Sequence, residues 1–318
     1  MKLLVIKSSS MGDVVHALPV AQDIAEHFPG ARIDWVVEES FRDIPVLSPR
    51  VNSIVVTAFR RWQKHLLEGR TWAEIAAVRL QVREGAYDLV IDLQGLIRTG
   101  IVAHWAGAPA AGFSFQTVRE KPAALAYSPQ LRFSIPETVG AVNRYRALAG
   151  AALGYKPEGR PRFGLRTASE STFQIEAPYA ALAVNTSQSR KLWPEQHWLQ
   201  VGSYLSGRGL KCVLFWGSEE ERLRVQRLSA GIPGSLVAPR LALADLAVVL
   251  RGAAIVVGVD TGLSHLGAAL GRPTIGIFVQ TSLEKVPIVG DGLYVNAGGP
   301  GQMPLPDEII RYCEEFLR

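Results

Sequence analysis

No stretch of about 18 consecutive apolar residues occurs in the 318-residue chain, so nothing in it reads as a membrane-spanning helix. The N-terminal MKLLVIKSSSMGD opens on a basic residue, but its apolar run is only LLVI before serine, glycine and aspartate intervene. That is too short for the core of a secretory signal and fits a first β-strand. Cysteine is scarce: Cys212 and Cys313 supply neither a disulfide framework nor metal-ligand spacing, and a reducing, cytoplasmic setting is expected. Six histidines are scattered without HExxH or His/Asp spacing, so no metal held by the protein is expected. The loop after the first strand has a single glycine. It is therefore not a GxGxxG turn, which weakens a nicotinamide oxidoreductase reading, and no Gly-Lys-Ser/Thr follows to make a Walker loop.

What is present is an ordinary globular composition, 48% hydrophobic and 20% charged, in a chain long enough for two domains. The net charge of +5 is uneven: residues 1–165 hold 20 Lys and Arg against 15 Asp and Glu, whereas residues 166–318 hold 14 of each. An anionic partner is expected at the first half, although so small an excess fits plain solubility equally well.

Short buried runs alternate with helical patterns. KLLVI (2–6), RIDWVVEE (32–39), VNSIVV (51–56) and YDLVIDL (87–93) read as strands, with helices over 14–28 and from about Trp72 to Glu84. A turn-rich, polar stretch from Gly154 to Pro178 reads as a linker and hinge. The pattern then restarts with ALAVN, LKCVLFW, IVVGVD and TIGIFV as strands. The expected architecture is two α/β, Rossmann-like domains, residues 1–160 and 161–318, with parallel sheets facing across a cleft. The amphipathic segment 307–317 could pack on either domain, the first included.

Four constellations fall where strands feed helices. In KSSSMGDVVHALP (7–19), Asp13 reads as a helix N-cap or as a catalytic base. In VGVDTGLSHLGAALG (257–271), Asp260, Thr261, Gly262 and His265 sit at a helix start whose N–H groups can hold phosphate oxygens; a surface histidine on a capped helix is the plainer alternative. In VNTSQSRKLWPEQHW (184–198), Thr186, Ser187 and Lys191 can hold a diphosphate, and Arg190 adds cation density. In WGSEEER, Glu221 could reach a ribose or serve the helix dipole. A basic, aromatic connection follows the third strand (Arg60, Arg61, Trp62, Lys64, Trp72), and Arg119 and Lys121 follow later; cations there fit phosphates or acidic sugars.

Taken together, KSSSMGDVVHALP, DWVVEE, RRWQK, IDLQGL, QTVRE, KLWPEQHW and VDTGLSHL resemble the ADP-heptose lipopolysaccharide heptosyltransferases, glycosyltransferase family nine, over essentially the whole chain. RRWQK and SSMGD favour the type I branch of that family over the type II branch. The resemblance implies a GT-B fold and inverting transfer of L-glycero-D-manno-heptose from ADP-heptose to Kdo of Kdo-lipid A. It implies Asp13 as catalytic base, with Thr186, Ser187, Lys191, Glu221, Asp260, Thr261, Gly262 and His265 on the donor and Arg60, Arg61, Lys64 and Arg119 on the acceptor. Ser187 stands where a second threonine is familiar, and the hydroxyl is kept. No cofactor is required by this reading, though Mg2+ could accompany the diphosphate. The partners expected are ADP-heptose and Kdo-lipid A and no nucleic acid, for a monomer working at the inner face of the cytoplasmic membrane. The alternatives are type II transfer to heptosyl-Kdo-lipid A and a two-lobed nucleotide-sugar binding protein without chemistry.

Overall fold

The computed structural model describes residues 1–176 and 178–318. The chain divides into two units, Met1–Arg162 and Phe163–Arg318, each built on a six-stranded sheet. In the first unit the strands are β1 (Lys2–Ile6), β2 (Arg32–Glu38), β3 (Val51–Thr57), β4 (Leu89–Asp92), β5 (Ala110–Phe113) and β6 (Arg132–Phe133). The helices are α1 (Met11–Ala17), α2 (Pro19–His27), α3 (Asp43–Val46), α4 (Phe59–Trp62), α5 (Gly69–Glu84), α6 (Ile97–Trp105) and α7 (Ala141–Leu153). In the second unit the strands are β7 (Tyr179–Ala183), β8 (Lys211–Leu214), β9 (Leu236–Val237), β10 (Ile255–Val259), β11 (Thr274–Phe278) and β12 (Tyr294–Gly298). Its helices are α8 (Glu195–Gly207), α9 (Glu219–Gly231), α10 (Leu243–Gly252), α11 (Gly262–Ala269) and α12 (Pro306–Phe316).

All these pairings are parallel. The first sheet runs β3-β2-β1-β4-β5-β6, and the second, β12-β11-β10-β7-β8-β9, has the same order read from its other edge. This is the doubly wound Rossmann arrangement. The central strands show why the apolar runs are unbroken: Leu3, Leu4, Val5 and Ile6 of β1 and Ile255, Val256 and Val257 of β10 are all fully buried, because helices cover both faces. In each sheet the order reverses beside its first strand, between β1 and β4 and between β7 and β10. Loops at the carboxyl ends of those strands diverge there, and a ligand crevice opens at such a switch point.

Two expectations change. The C-terminal helix α12, left open to the first domain by its sequence, packs on α8 of the second unit, with Ile309 and Cys313 buried in that unit's core. The broad linker, of which residue 177 lies outside the described residues, is also tied down within its first half. Arg146, in a buried bidentate pair with Asp23 (2.7 and 3.0 Å), donates to the Glu158 and Gly159 carbonyls. On the other side, Asp291 accepts the Phe163 and Gly164 N–H groups at 2.9 Å, and Arg251 donates to Leu165 O. Arg162 also pairs with Glu26 of α2, so residues 160–161 are what remains between the two sets of anchors. Among the described residues no helix is long and apolar enough to cross a membrane.

Candidate active site

Each unit concentrates its polar groups at its switch point. In the first, α1 begins directly after the β1 loop, with Ser10 as N-cap and Asp13 at the third helical position. Asp13 therefore does not occupy the cap itself but completes it: Ser10 N–H and Ser10 Oγ–H both donate to Asp13 Oδ2, at 3.1 and 3.0 Å. The other oxygen serves a different set of groups. Tyr145 of α7 donates its hydroxyl to Asp13 Oδ1 at 3.1 Å and accepts from the buried Lys7 Nζ at 2.7 Å, while Lys7 Nζ lies 3.8 Å from Oδ1. Burial pushes the Asp13 carboxyl up. The Lys7 ammonium, His16 and the Ser10 bonds outweigh that and hold it below its ordinary 3.8. Burial in turn lowers Lys7, with Asp13 and Asp92 opposing, and burial raises the Tyr145 phenol, so Tyr145 stays a donor.

The β4 loop supports this arrangement. Gln94 Oε1 accepts the Ser8 and Ser9 N–H groups, each at 3.2 Å, tying the two switch-point loops together. Asp92, fully buried, accepts Gln94 N–H, Gly95 N–H and the Tyr127 hydroxyl. Tyr127 reaches it across β5 only because position 112 is glycine: a Cβ there would lie 2.2 Å from the Tyr127 ring.

The four basic candidates separate. Arg119 is exposed, has no ion-pair partner among the described residues, and adds its charge to those felt by Lys7 and Tyr145, so it belongs to the Asp13 neighbourhood. Arg144 joins it there; its guanidinium donates to the Thr117 and Ile135 carbonyls and so fixes the loop that carries Arg119. Arg60 and Lys64 are exposed at α4, whose first N–H groups are capped by the buried Glu38 carboxylate, with Arg60 over the Phe41 ring. Arg61, the remaining acceptor candidate, is engaged by two carboxylates, Glu39 (3.0 Å) and Glu74 (2.9 Å).

In the second unit Asp260, at the end of β10, is the hub. Its Oδ2 accepts Lys191 Nζ and Thr281 Oγ1, each at 2.6 Å, and His265 Nε2 lies 3.2 Å from Oδ1. Burial raises the Asp260 carboxyl, but the bonds from His265, Lys191 and Thr281 carry it far below its ordinary value, so it is an anion at neutral pH. His265 is buried, which overturns its reading as a surface histidine. Thr186 Oγ1 donates to Asp260 O at 3.2 Å, and Ser264 Oγ donates to Val259 O at 2.7 Å. Gly258 makes that last contact possible, since a Cβ would stand 2.2 Å from Ser264 Oγ. Thr261, the N-cap of α11, makes no side-chain cap bond, and while Ser264 N–H donates to Thr261 O, the Gly262 and Leu263 N–H groups at the helix start can meet an anion. Ser187 is exposed on the same loop as Thr186. Glu221 completes a capping box on α9, accepting Gly217 and Ser218 N–H through Oε2, which leaves only Oε1 for a ligand. Lys7, Tyr145, Gln94 and Thr281 are the site groups that reading the sequence did not single out. Among the described residues no group of three or more His, Cys, Asp or Glu could hold a metal ion.

Lys7→Met tests the electrostatics at Asp13. With the ammonium gone, burial dominates and the Asp13 carboxyl rises. A carboxylate base is lost as pH falls through its folded value, so the acid limb of kcat/KM should move to higher pH in the variant, while activity near neutrality is affected less. An unshifted limb in a folded variant would show that Lys7 does not hold Asp13 ionised.

Two Rossmann-like units, one offering a fixed carboxylate and the other a cation and an open helix N-terminus, define a glycosyltransferase of the GT-B type. The profile of glycosyltransferase family 9 (heptosyltransferase) matches residues 75–304. The chain is 40% identical to lipopolysaccharide heptosyltransferase 1 of Pseudomonas aeruginosa over 89% of its own length and 79% of that protein's. It is 38% identical to the Escherichia coli K12 protein of the same name, over 88% of each. The solved structure of E. coli heptosyltransferase WaaC with ADP superposes with a TM-score of 0.88 at 33% identity, covering 99% of this chain and 100% of that one. The chain belongs to glycosyltransferase family 9.

Proposed function

We propose that this enzyme transfers heptose from ADP-heptose to the Kdo sugar of Kdo-lipid A, with inversion and with Asp13 as general base. The carrying observation is the Asp13 carboxylate itself, ionised, fixed through Oδ2 by its own helix start and presenting Oδ1 at the switch point. The acceptor hydroxyl oxygen attacks the anomeric carbon, the bond from that carbon to the diphosphate oxygen breaks, and the hydroxyl proton passes to Asp13 as ADP leaves. A base with a lowered pKa is weak toward a free alcohol, but the hydroxyl becomes strongly acidic as its oxygen bonds to an oxocarbenium-like carbon. Lys191, with the N–H groups beginning at Gly262, stabilises the charge growing on the diphosphate. Thr186, Ser187, Glu221, Thr261 and His265 line or organise the donor side, and Arg60, Lys64 and Arg119 face the acceptor's phosphates and carboxylates.

Several finer points belong to the same reading. The relatives named heptosyltransferase 1 at 38–40% identity, against 22% for a lipooligosaccharide heptosyltransferase 2, support the first-heptose acceptor. The enzyme acts as a monomer at the inner face of the cytoplasmic membrane, where a lipid-linked acceptor would lie. The test is incubation with ADP-heptose and delipidated Kdo-lipid A, following ADP release and a one-heptose gain in product mass. Transfer only to an acceptor already carrying one heptose would move the protein to the type II reaction, and donor binding with no transfer to either would make it a binding protein.

Because Lys191 and a helix N-terminus can do the neutralising, no metal is required in this scheme. EDTA should leave the rate unchanged; a rate restored only by Mg2+ would assign that task to an ion travelling with the diphosphate.

A further inference from the structure

The first unit carries large apolar side chains in water on elements that touch one another. Leu66 and Leu67 lie on the connection between α4 and α5, with Leu67 fully exposed, and Trp72 is exposed in the first turns of α5. The Trp72 indole N–H donates to Leu66 O at 2.8 Å, closing this connection on itself. Helix α5 packs on α6, which exposes Ile97 and Ile101, one turn apart and so on one face. Helix α6 in turn packs on the 3-10 segment Lys121–Ala126, where Leu125 is 71% exposed. Cations are interleaved with these side chains: Lys64 and Lys121 are exposed and have no ion-pair partner among the described residues, and Arg60 flanks the same connection, as does Arg70, which pairs with Glu74. None of these apolar residues is used by the proposed chemistry.

We propose that this face, Leu66, Leu67, Trp72, Ile97, Ile101 and Leu125 with the lysines among them, docks on an anionic lipid bilayer. Apolar side chains that enter the acyl boundary, beside cations that meet acidic headgroups, are the chemistry of interfacial binding. A second copy of the chain is a poorer occupant on charge. The first half carries the whole excess of positive charge, and residues 166–318 are balanced at 14 of each sign, so no surplus of acid waits on the chain to cover the lysines. The inference deepens the proposed function, since a lipid-linked acceptor gives such docking its purpose, but binding itself requires no acceptor.

The test is sedimentation of the full-length protein, without donor or acceptor, with vesicles of phosphatidylcholine alone and with phosphatidylglycerol added. Binding to the anionic vesicles only, weakened by salt, is expected. Leu66→Asp/Leu67→Asp should reduce it roughly tenfold or more while leaving kcat and KM on delipidated acceptor unchanged, which also reports that the variant is folded. Leu125→Asp, on a separate element, should reduce it as well. Vesicle binding unaltered in both variants would overturn the proposal. So would a wild-type dimer in sedimentation velocity that the same substitutions dissociate, because the face would then join two copies. If the wild type binds anionic vesicles but transfers no heptose to any acceptor, the functional reading fails and the docking stands.

Discussion

Asp13→Asn should lower kcat by about 10²–10⁴-fold, the usual worth of a positioned general base, with little change in the KM of either substrate. The substitution separates the two tasks that the structure gives this residue. The asparagine carboxamide oxygen can still accept Ser10 N–H and Ser10 Oγ–H as Asp13 Oδ2 does, so the start of α1 should survive, with a stability change within about 1 kcal/mol. Its amide group would then face Tyr145, whose hydroxyl can turn to accept a hydrogen bond, and Lys7 would keep Asp92 as a nearby charge. What the variant cannot do is take a proton from the acceptor hydroxyl. Turnover of the purified variant, with its thermal midpoint, therefore decides the matter. Near-normal kcat would return Asp13 to the role of helix start alone; a collapsed midpoint would mean that the ionic contact with Lys7 holds the fold, and the Lys7→Met pH profile would then carry the question.

That duality also shows what could and could not be read from residues alone. Strands β1 to β4 were legible because each carries a short apolar run, LLVI in β1, WVV in β2, IVV in β3 and LVI in β4, and the polar loops that follow β1, β7 and β10 were visible as breaks in such runs. Strand β5 was not, since Ala110–Phe113 is AAGF, three small residues before a single phenylalanine, and Gly112 is explained only by a tyrosine fifteen positions later. The roles of Tyr145 and Thr281 are equally non-local. Each acts through one hydroxyl on a carboxylate far away in sequence, and a lone Tyr or Thr carries no pattern. Charge was the weakest guide. Arg61 and Lys64 look alike in RRWQK, yet the first is held by Glu39 and Glu74 and the second is open, a difference set by how β2, α4 and α5 are brought together. The linker is broad in sequence because Pro, Gly and polar residues fill it, yet in the structure Arg146 holds residues 158–159 and Asp291 holds residues 163–164.

Lys191→Met should lower kcat/KM for the donor by about 10²–10³-fold, through both a higher donor KM and a lower kcat, and leave the acceptor KM nearly unchanged. The size follows from what the ammonium covers. Lys191 Nζ sits 2.6 Å from Asp260 Oδ2, and the Asp260 side chain is only 8% exposed, so removing the cation subtracts a diphosphate partner and uncovers a buried carboxylate at the same helix start. The carboxylate would then repel the group it helped to bind. If that account is right, the double variant Lys191→Met/Asp260→Asn should recover part of the loss, a non-additivity that two independent contacts would not show. Arg190→Met is the control: Arg190 lies one residue away on the same turn, is exposed, and among the described residues its side chain is bonded to Gln188 alone, so its loss should change donor kcat/KM by no more than about threefold. Equal effects at Arg190 and Lys191 would mean that the donor responds to the general positive charge of the loop. A large effect at Lys191 alone, relieved by neutralising Asp260, would mean that the lysine acts through the pair it makes at the end of β10.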